Sequence, residues 1–162
     1  MRIVIILGYA ALAASSCSTA SQKDVSGEII ALERRALDRW GKGDPSGYHE
    51  VYAPEVTYFD PMQGKRIDGL DGIKAMQAPI TGKIHVDRYD MIDPKVQQYG
   101  DVAVLPFNLL SYRTGADAKE TVVGRWNSTE VYHRIAGTWS IIHVHWSFIK
   151  PELKKPVAET GP

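Results

Sequence analysis

The feature that most constrains this chain is a change of period partway along it. Val25, Ile29, Leu32, Ala36, Leu37 and Trp40 recur at spacings of three and four, with Glu28, Glu33, Arg34, Arg35, Asp38 and Arg39 between them. Such spacing lays an apolar stripe along one side of a helix. From Lys83 onward the pattern is extended instead. His85–Pro94, Val102–Thr114, Thr121–Ile135 and Thr138–Ile149 read as strands separated by Gly- and Pro-containing turns. Ile135-Ala136-Gly137-Thr138 reads as a tight hairpin between the last two. Helices first and long antiparallel strands after them predict an α+β domain, with helices on one face of a curved sheet.

The linking region is shorter and more broken. Gly41 and Gly43 end the first helix, and Asp44-Pro45 marks the start of another. That short helix carries Tyr48, Val51 and Tyr52, and Pro54 stops it. Val56 to Asp60 is a β-rich run closed by Pro61. Gln63-Gly64 is a turn signal, Arg66-Ile67 a short strand, and Leu70 to Met76 a third short helix.

The N-terminus has a different character. Ile3 to Ala14 is an apolar run of twelve residues behind Arg2. A permanent membrane helix needs roughly 20 residues, whereas a secretory signal has this shorter form. Ala13, Ala14, Ser15 and Ser16 then lead into Cys17, the only cysteine. This resembles the lipidation box of bacterial lipoproteins, with Ala14 where Leu is usual. The expected organisation is a lipoprotein-type signal peptide over 1–16, a polar tether over 17–24, a domain over 25–150 and a loose tail over 151–162. The expected location is the bacterial cell envelope, periplasmic or secreted, with membrane contact only through a lipid on Cys17. One cysteine excludes an intramolecular disulfide framework. Nineteen basic and nineteen acidic residues leave no net charge, which argues against a nucleic-acid partner.

The order of these elements carries a resemblance. Tyr52-Ala53-Pro54, Val56-Thr57-Tyr58-Phe59-Asp60-Pro61, Gly69 and Ile73, followed by four strands, resemble the nuclear transport factor 2-like superfamily, in its SnoaL-like and ketosteroid isomerase-like branches. Glu130 to Trp139 and His143-Val144-His145-Trp146-Ser147 are similar to the association domain of calcium/calmodulin-dependent protein kinase II. The resemblance spans about residues 26–149. It implies a cone-shaped barrel of cystatin-like or SnoaL-like type, a pocket between sheet and helices, and a homodimer through the outer sheet face.

Candidate chemistry centres on two carboxylates. Asp60 matches the general base of the isomerase pattern, where apolar walls leave a carboxylate free to move a proton. Its alternative role is to cap the turn around Gly64. Glu130 falls on the acid position of the same pattern if the last hairpin is one residue shorter, and Thr129 does if it is not. Glu130 could instead pair with Arg113 or Arg125 across strands. The pattern's helical tyrosine falls on Ala36, so isomerisation of a ketosteroid is not expected. The kinase-domain resemblance implies pocket arginines that hold carboxylates. Here those positions fall on Leu109, Glu130 and Trp146, which favour neutral, apolar or cationic ligands. Tyr58, Leu109, Tyr132 and Trp146 are the expected pocket wall. His143-x-His145, with His133 beside it, has a metal-ligand spacing. Alternation with Val144 and Trp146 sends these histidines to the outer face, so no metal and no cofactor are expected. The expected function is a domain that binds a small, mostly apolar ligand or a partner protein. The alternative is a small isomerase, cyclase or hydrolase using Asp60.

Overall fold

A computed structural model describes residues 24–150. The signal segment 1–16, Cys17, most of the tether and the tail 151–162 lie outside the described residues.

Three helices precede most of the sheet: α1 (Ser26–Trp40), α2 (Ser46–His49) and α3 (Leu70–Gln77). The strands are β1 (Tyr52–Phe59), β2 (Ile67–Asp68), β3 (Arg88–Ile92), β4 (Gln97–Tyr99), β5 (Val102–Thr114), β6 (Glu120–Ile135) and β7 (Thr138–Phe148). They form one curved sheet in the order β2-β1-β7-β6-β5-β3, with β4 also on β5. β1 runs parallel to β7, and the other ladders are antiparallel. Irregular steps at Ser111/Tyr112 and Val131/Tyr132 interrupt the two long ladders. Such bulges sharpen the bend that lets a sheet wrap around helices.

The apolar stripe of α1 meets the concave face. Ile29, Ala36 and Leu37 are buried with Val56, Ile73, Leu105, Phe107, Leu109, Ile141 and Val144. Thr57, Phe59, Asn127, His143 and His145 occupy the opposite, outer face, which follows from strand alternation.

Two local readings change. Tyr52 begins β1 rather than ending the short helix, because α2 lasts a single turn. Pro54 lies within β1 instead of stopping a helix. It falls in the gap of the β1–β7 ladder between Tyr52 and Thr57, where a missing N–H breaks no rung. The last hairpin is as tight as expected. Ile135 faces Thr138, and Ala136 and Gly137 both have positive φ, 50° and 86°. This is the geometry of a two-residue turn matched to strand twist.

Candidate functional site

The site is assembled from the end of α1. The Arg39 guanidinium donates to Asp44 and to Glu50, each at 2.7 Å, and to the Ser46 hydroxyl. Asp44 also accepts from the Ser46 hydroxyl at 2.5 Å and the Ser46 amide at 3.0 Å, and the Ser46 hydroxyl first, then Arg39 and the amide, hold its carboxyl down at about 2. This cluster fastens α2 beside α1. Gly43 allows the tight bend between them: its φ is +78°, and a Cβ there would meet the Gly82 backbone at 3.0 Å. Fixing α2 fixes Tyr48, which is buried against Tyr52 with ring centroids 5.6 Å apart.

Tyr48 leads to a buried acid network that joins helix to sheet. Its hydroxyl donates to Glu33 at 2.6 Å, and the Tyr132 hydroxyl donates to the other Glu33 oxygen at 2.8 Å. Tyr132 also lies 3.3 Å from Glu130. Glu33, Glu130 and Tyr132 are all fully buried. Among the described residues neither glutamate forms an ion pair. Burial and the nearby Glu33 carboxylate push the Glu130 carboxyl well above its usual range. Burial and the same carboxylate push both phenols up, so they remain donors. The proton inventory is then consistent. Two phenols give their hydrogens to Glu33, and neutral Glu130 can give its own to the Tyr132 oxygen. The other Glu130 oxygen has no hydrogen-bond partner among the described residues, which a neutral acid tolerates better than an anion.

Above this layer is a cavity of about 340 Å³. Its wall includes Trp40, Tyr48, Tyr52, Tyr58, Trp126 and Trp146. Leu109 and Ile80 add aliphatic surface, and Gln77 is held by His49 at 2.7 Å. The Trp126 indole donates to Ser111 at 3.2 Å and lies over Gly124, where a Cβ would come within 2.9 Å of the ring. Among the described residues Asp60 is the only acidic or basic side chain on this wall. One of its oxygens accepts from the Met62 amide at 2.8 Å, the other from the Tyr58 hydroxyl at 3.0 Å.

The sequence candidates therefore separate into two layers. Tyr58, Leu109, Trp146 and Asp60 lie on the cavity wall. Glu130 and Tyr132 lie beneath it, reached through Tyr48 and Glu33. Glu130 takes neither Arg113 nor Arg125 as partner: Leu105 and Val144 flank it on the concave face, while Arg125 is exposed and Arg113 lies near Asp87. Thr129 faces the other way. Asp60 does hold the turn before Gly64, through Met62. The residue missed was Glu33. It lies four positions after Ile29 and three before Ala36, within the apolar stripe rather than between its members, and that spacing was its signal. The histidines lie on the outer face, where His143 shares a 2.8 Å hydrogen bond with the Thr57 hydroxyl. Burial and neighbouring His145 hold His143 below the usual histidine range.

A second, more open groove of about 380 Å³ lies between α1 and β3. Its carboxylates are engaged, Asp38 by the Tyr89 hydroxyl at 2.8 Å and Asp87 by His85 and the Thr114 amide, each at 2.7 Å.

A curved sheet wrapped on N-terminal helices, with a cavity between them, is the nuclear transport factor 2-like, cystatin-like fold. Residues 25–149 match the model of the calcium/calmodulin dependent protein kinase II association domain, and the chain belongs to that family. It is 26 % identical over 137 residues to the Drosophila melanogaster calcium/calmodulin-dependent protein kinase type II alpha chain, covering 82 % of this chain and 25 % of that protein. The chain thus spans about a quarter of this relative's length. A candidate ketosteroid isomerase from Parabacteroides distasonis superposes with a TM-score of 0.69 at 36 % identity, over 83 % of this chain and 95 % of that one. The association domain of the C. elegans kinase superposes with a TM-score of 0.64 at 22 % identity, over 75 % and 93 %.

Proposed function

We propose that this chain is a binding and association module whose cone holds one small, mostly apolar ligand. The observation that carries this reading is the aromatic cavity of about 340 Å³, a volume typical of small-molecule sites. The carboxylates near it are already committed: Asp60 to an amide and a phenol, Glu130 to the sealed layer beneath. Titration with the neutral dye N-phenyl-1-naphthylamine tests the reading. Saturable binding of one dye per chain is expected, and Leu109→Trp, which fills the cavity, should abolish it. Binding that never saturates, or that ignores the filled cavity, would count against a ligand site.

One observation favours a second reading, in which Asp60 is the general base of a small isomerase, cyclase or hydrolase. It reaches the wall with a phenol 3.0 Å away, an arrangement acid–base chemistry can use. Asp60→Asn that keeps full turnover of a discovered substrate would remove it.

We further propose residence in the bacterial envelope with a lipid on Cys17, and a homodimer through the outer sheet face. Intact mass of the mature protein reads the first directly, since a diacylglyceryl adduct on a chain starting at Cys17 is expected. Val131→Glu, on the outer face of β6, should shift a dimer to monomer in light scattering. An unchanged mass would place the interface elsewhere.

A further inference from the structure

Resting on the ligand-binding reading above, we infer that the cavity selects an organic monocation: an amine or quaternary ammonium group carrying an apolar body. Three independent features of the site point to that charge. The first is the wall itself. Six aromatic rings, Trp40, Tyr48, Tyr52, Tyr58, Trp126 and Trp146, surround one small space, and rings attract a cation while offering nothing equivalent to an anion. The second is the sign of the fixed charges. Among the described residues Asp60 is the only acidic or basic side chain on the wall, with no Lys, Arg or His beside it. The third lies one layer down. Tyr48 belongs to the wall and gives its hydroxyl to Glu33, which accepts a second phenol and has no basic partner among the described residues. Carboxyl oxygens sealed there with no counter-charge make the cavity above them more attractive to a cation than to an anion.

An anionic ligand would lose its water there without gaining a basic group, a loss that burial makes severe. A neutral ligand gains the apolar contact alone. An ammonium ligand gains that contact together with the rings and Asp60. Asp60 can serve while keeping its present bonds, because each carboxylate oxygen accepts more than one donor. Met62 marks the entrance: it lies on the wall beside Asp60 and is 75 % exposed.

Three probes of matched shape test the charge preference. They are benzyltrimethylammonium, its uncharged carbon isostere neopentylbenzene, and phenylacetate, each displacing N-phenyl-1-naphthylamine from the full chain. The ammonium probe is expected to bind at least tenfold tighter than its isostere, and phenylacetate weakest of all. Asp60→Asn should weaken the ammonium probe about tenfold and leave neopentylbenzene within twofold. Met62→Lys changes an exposed position that bears little on folding, and it should discriminate against the ammonium probe in the same sense. Equal affinity for the ammonium probe and its isostere would overturn the cation inference while leaving the ligand site standing. Tighter binding of phenylacetate, or a Met62→Lys variant that treats all three probes alike, would overturn it as well. Failure of every probe and of the dye would remove the ligand-binding reading itself.

Discussion

Replacing Glu130 by Gln should flatten the pH dependence of stability between pH 5 and pH 7. In the unfolded chain this carboxyl releases its proton near its ordinary value of about 4.5. In the fold, burial and the Glu33 carboxylate keep the proton on. The folded state therefore binds more protons than the unfolded state above that pH, and stability falls as pH rises. The slope is roughly 1.4 kcal/mol per pH unit for as long as the fold retains the proton. Glutamine preserves the volume and can donate to the Tyr132 oxygen, but it has no proton to lose. The difference in stability, Gln variant minus parent, should therefore grow with pH. Urea unfolding at half-unit steps measures it, with an unchanged m-value as the check that both chains unfold alike. Groups that do not interact with Glu130 cancel in the difference. The lowered carboxyls of Asp44, Asp68, Asp87 and Glu120 favour the fold above their unfolded values, and lose that contribution only as pH falls below about 4. His143, held low, opposes the Glu130 slope equally in both chains. A difference that stays flat with pH would mean that Glu130 is ionised in the fold, and the proton arrangement described above would be wrong.

Three further outcomes are expected. Tyr132→Phe strands the Glu33 oxygen that it now serves at 2.8 Å, and should cost about 2 kcal/mol in denaturant unfolding; a loss under about 0.5 kcal/mol would show that water or Tyr48 replaces it. Gly124→Ala sets a Cβ against the Trp126 ring, so the indole should leave Ser111, changing near-ultraviolet dichroism and weakening dye binding, whereas an unaltered spectrum would contradict the packing. Ala136→Asn relieves a left-handed alanine in the last hairpin and should add about 0.5–1 kcal/mol, read as a rise in Tm without loss of dye binding.

The fold was legible because two periods are written plainly into the chain. Ile29 to Trp40 can only be an amphipathic helix, and Thr121 to Phe148 can only be a long hairpin around Ala136-Gly137. The parallel seam between β1 and β7 was not legible, since nothing local in Tyr52 to Phe59 says which distant strand it joins. The acid layer was hidden for a different reason. Charged residues are ordinarily assigned to the solvated face, and Glu33 was placed there although its spacing belongs to the buried one. Its partners come from α2 and β6, at separations of 15 and 99 residues, and no short motif encodes such a meeting. Glu130 hung on strand register: β6 alternates without interruption through Ser128, Glu130 and Tyr132, all buried, which sends Glu130 inward and Thr129 outward, while the irregular step there falls in β7 at Ile142.

That acid layer also separates stability from function. Two carboxyls sealed without a cation are costly, and a well-packed apolar replacement is often neutral or stabilising. Paired changes such as Glu33→Gln with Glu130→Met, which remove the charge yet keep most of the volume, need not weaken the fold. They would erase the negative potential beneath Tyr48 while leaving the aromatic wall in place. If the cavity's charge preference comes from both layers, such a variant should keep its affinity for neopentylbenzene and lose part of its preference for the ammonium probe. If Asp60 alone sets the preference, the variant should behave as the parent does. The two carboxyl layers therefore have separable consequences: the upper one acts at the ligand, the lower one through the field it sets and the pH slope it imposes.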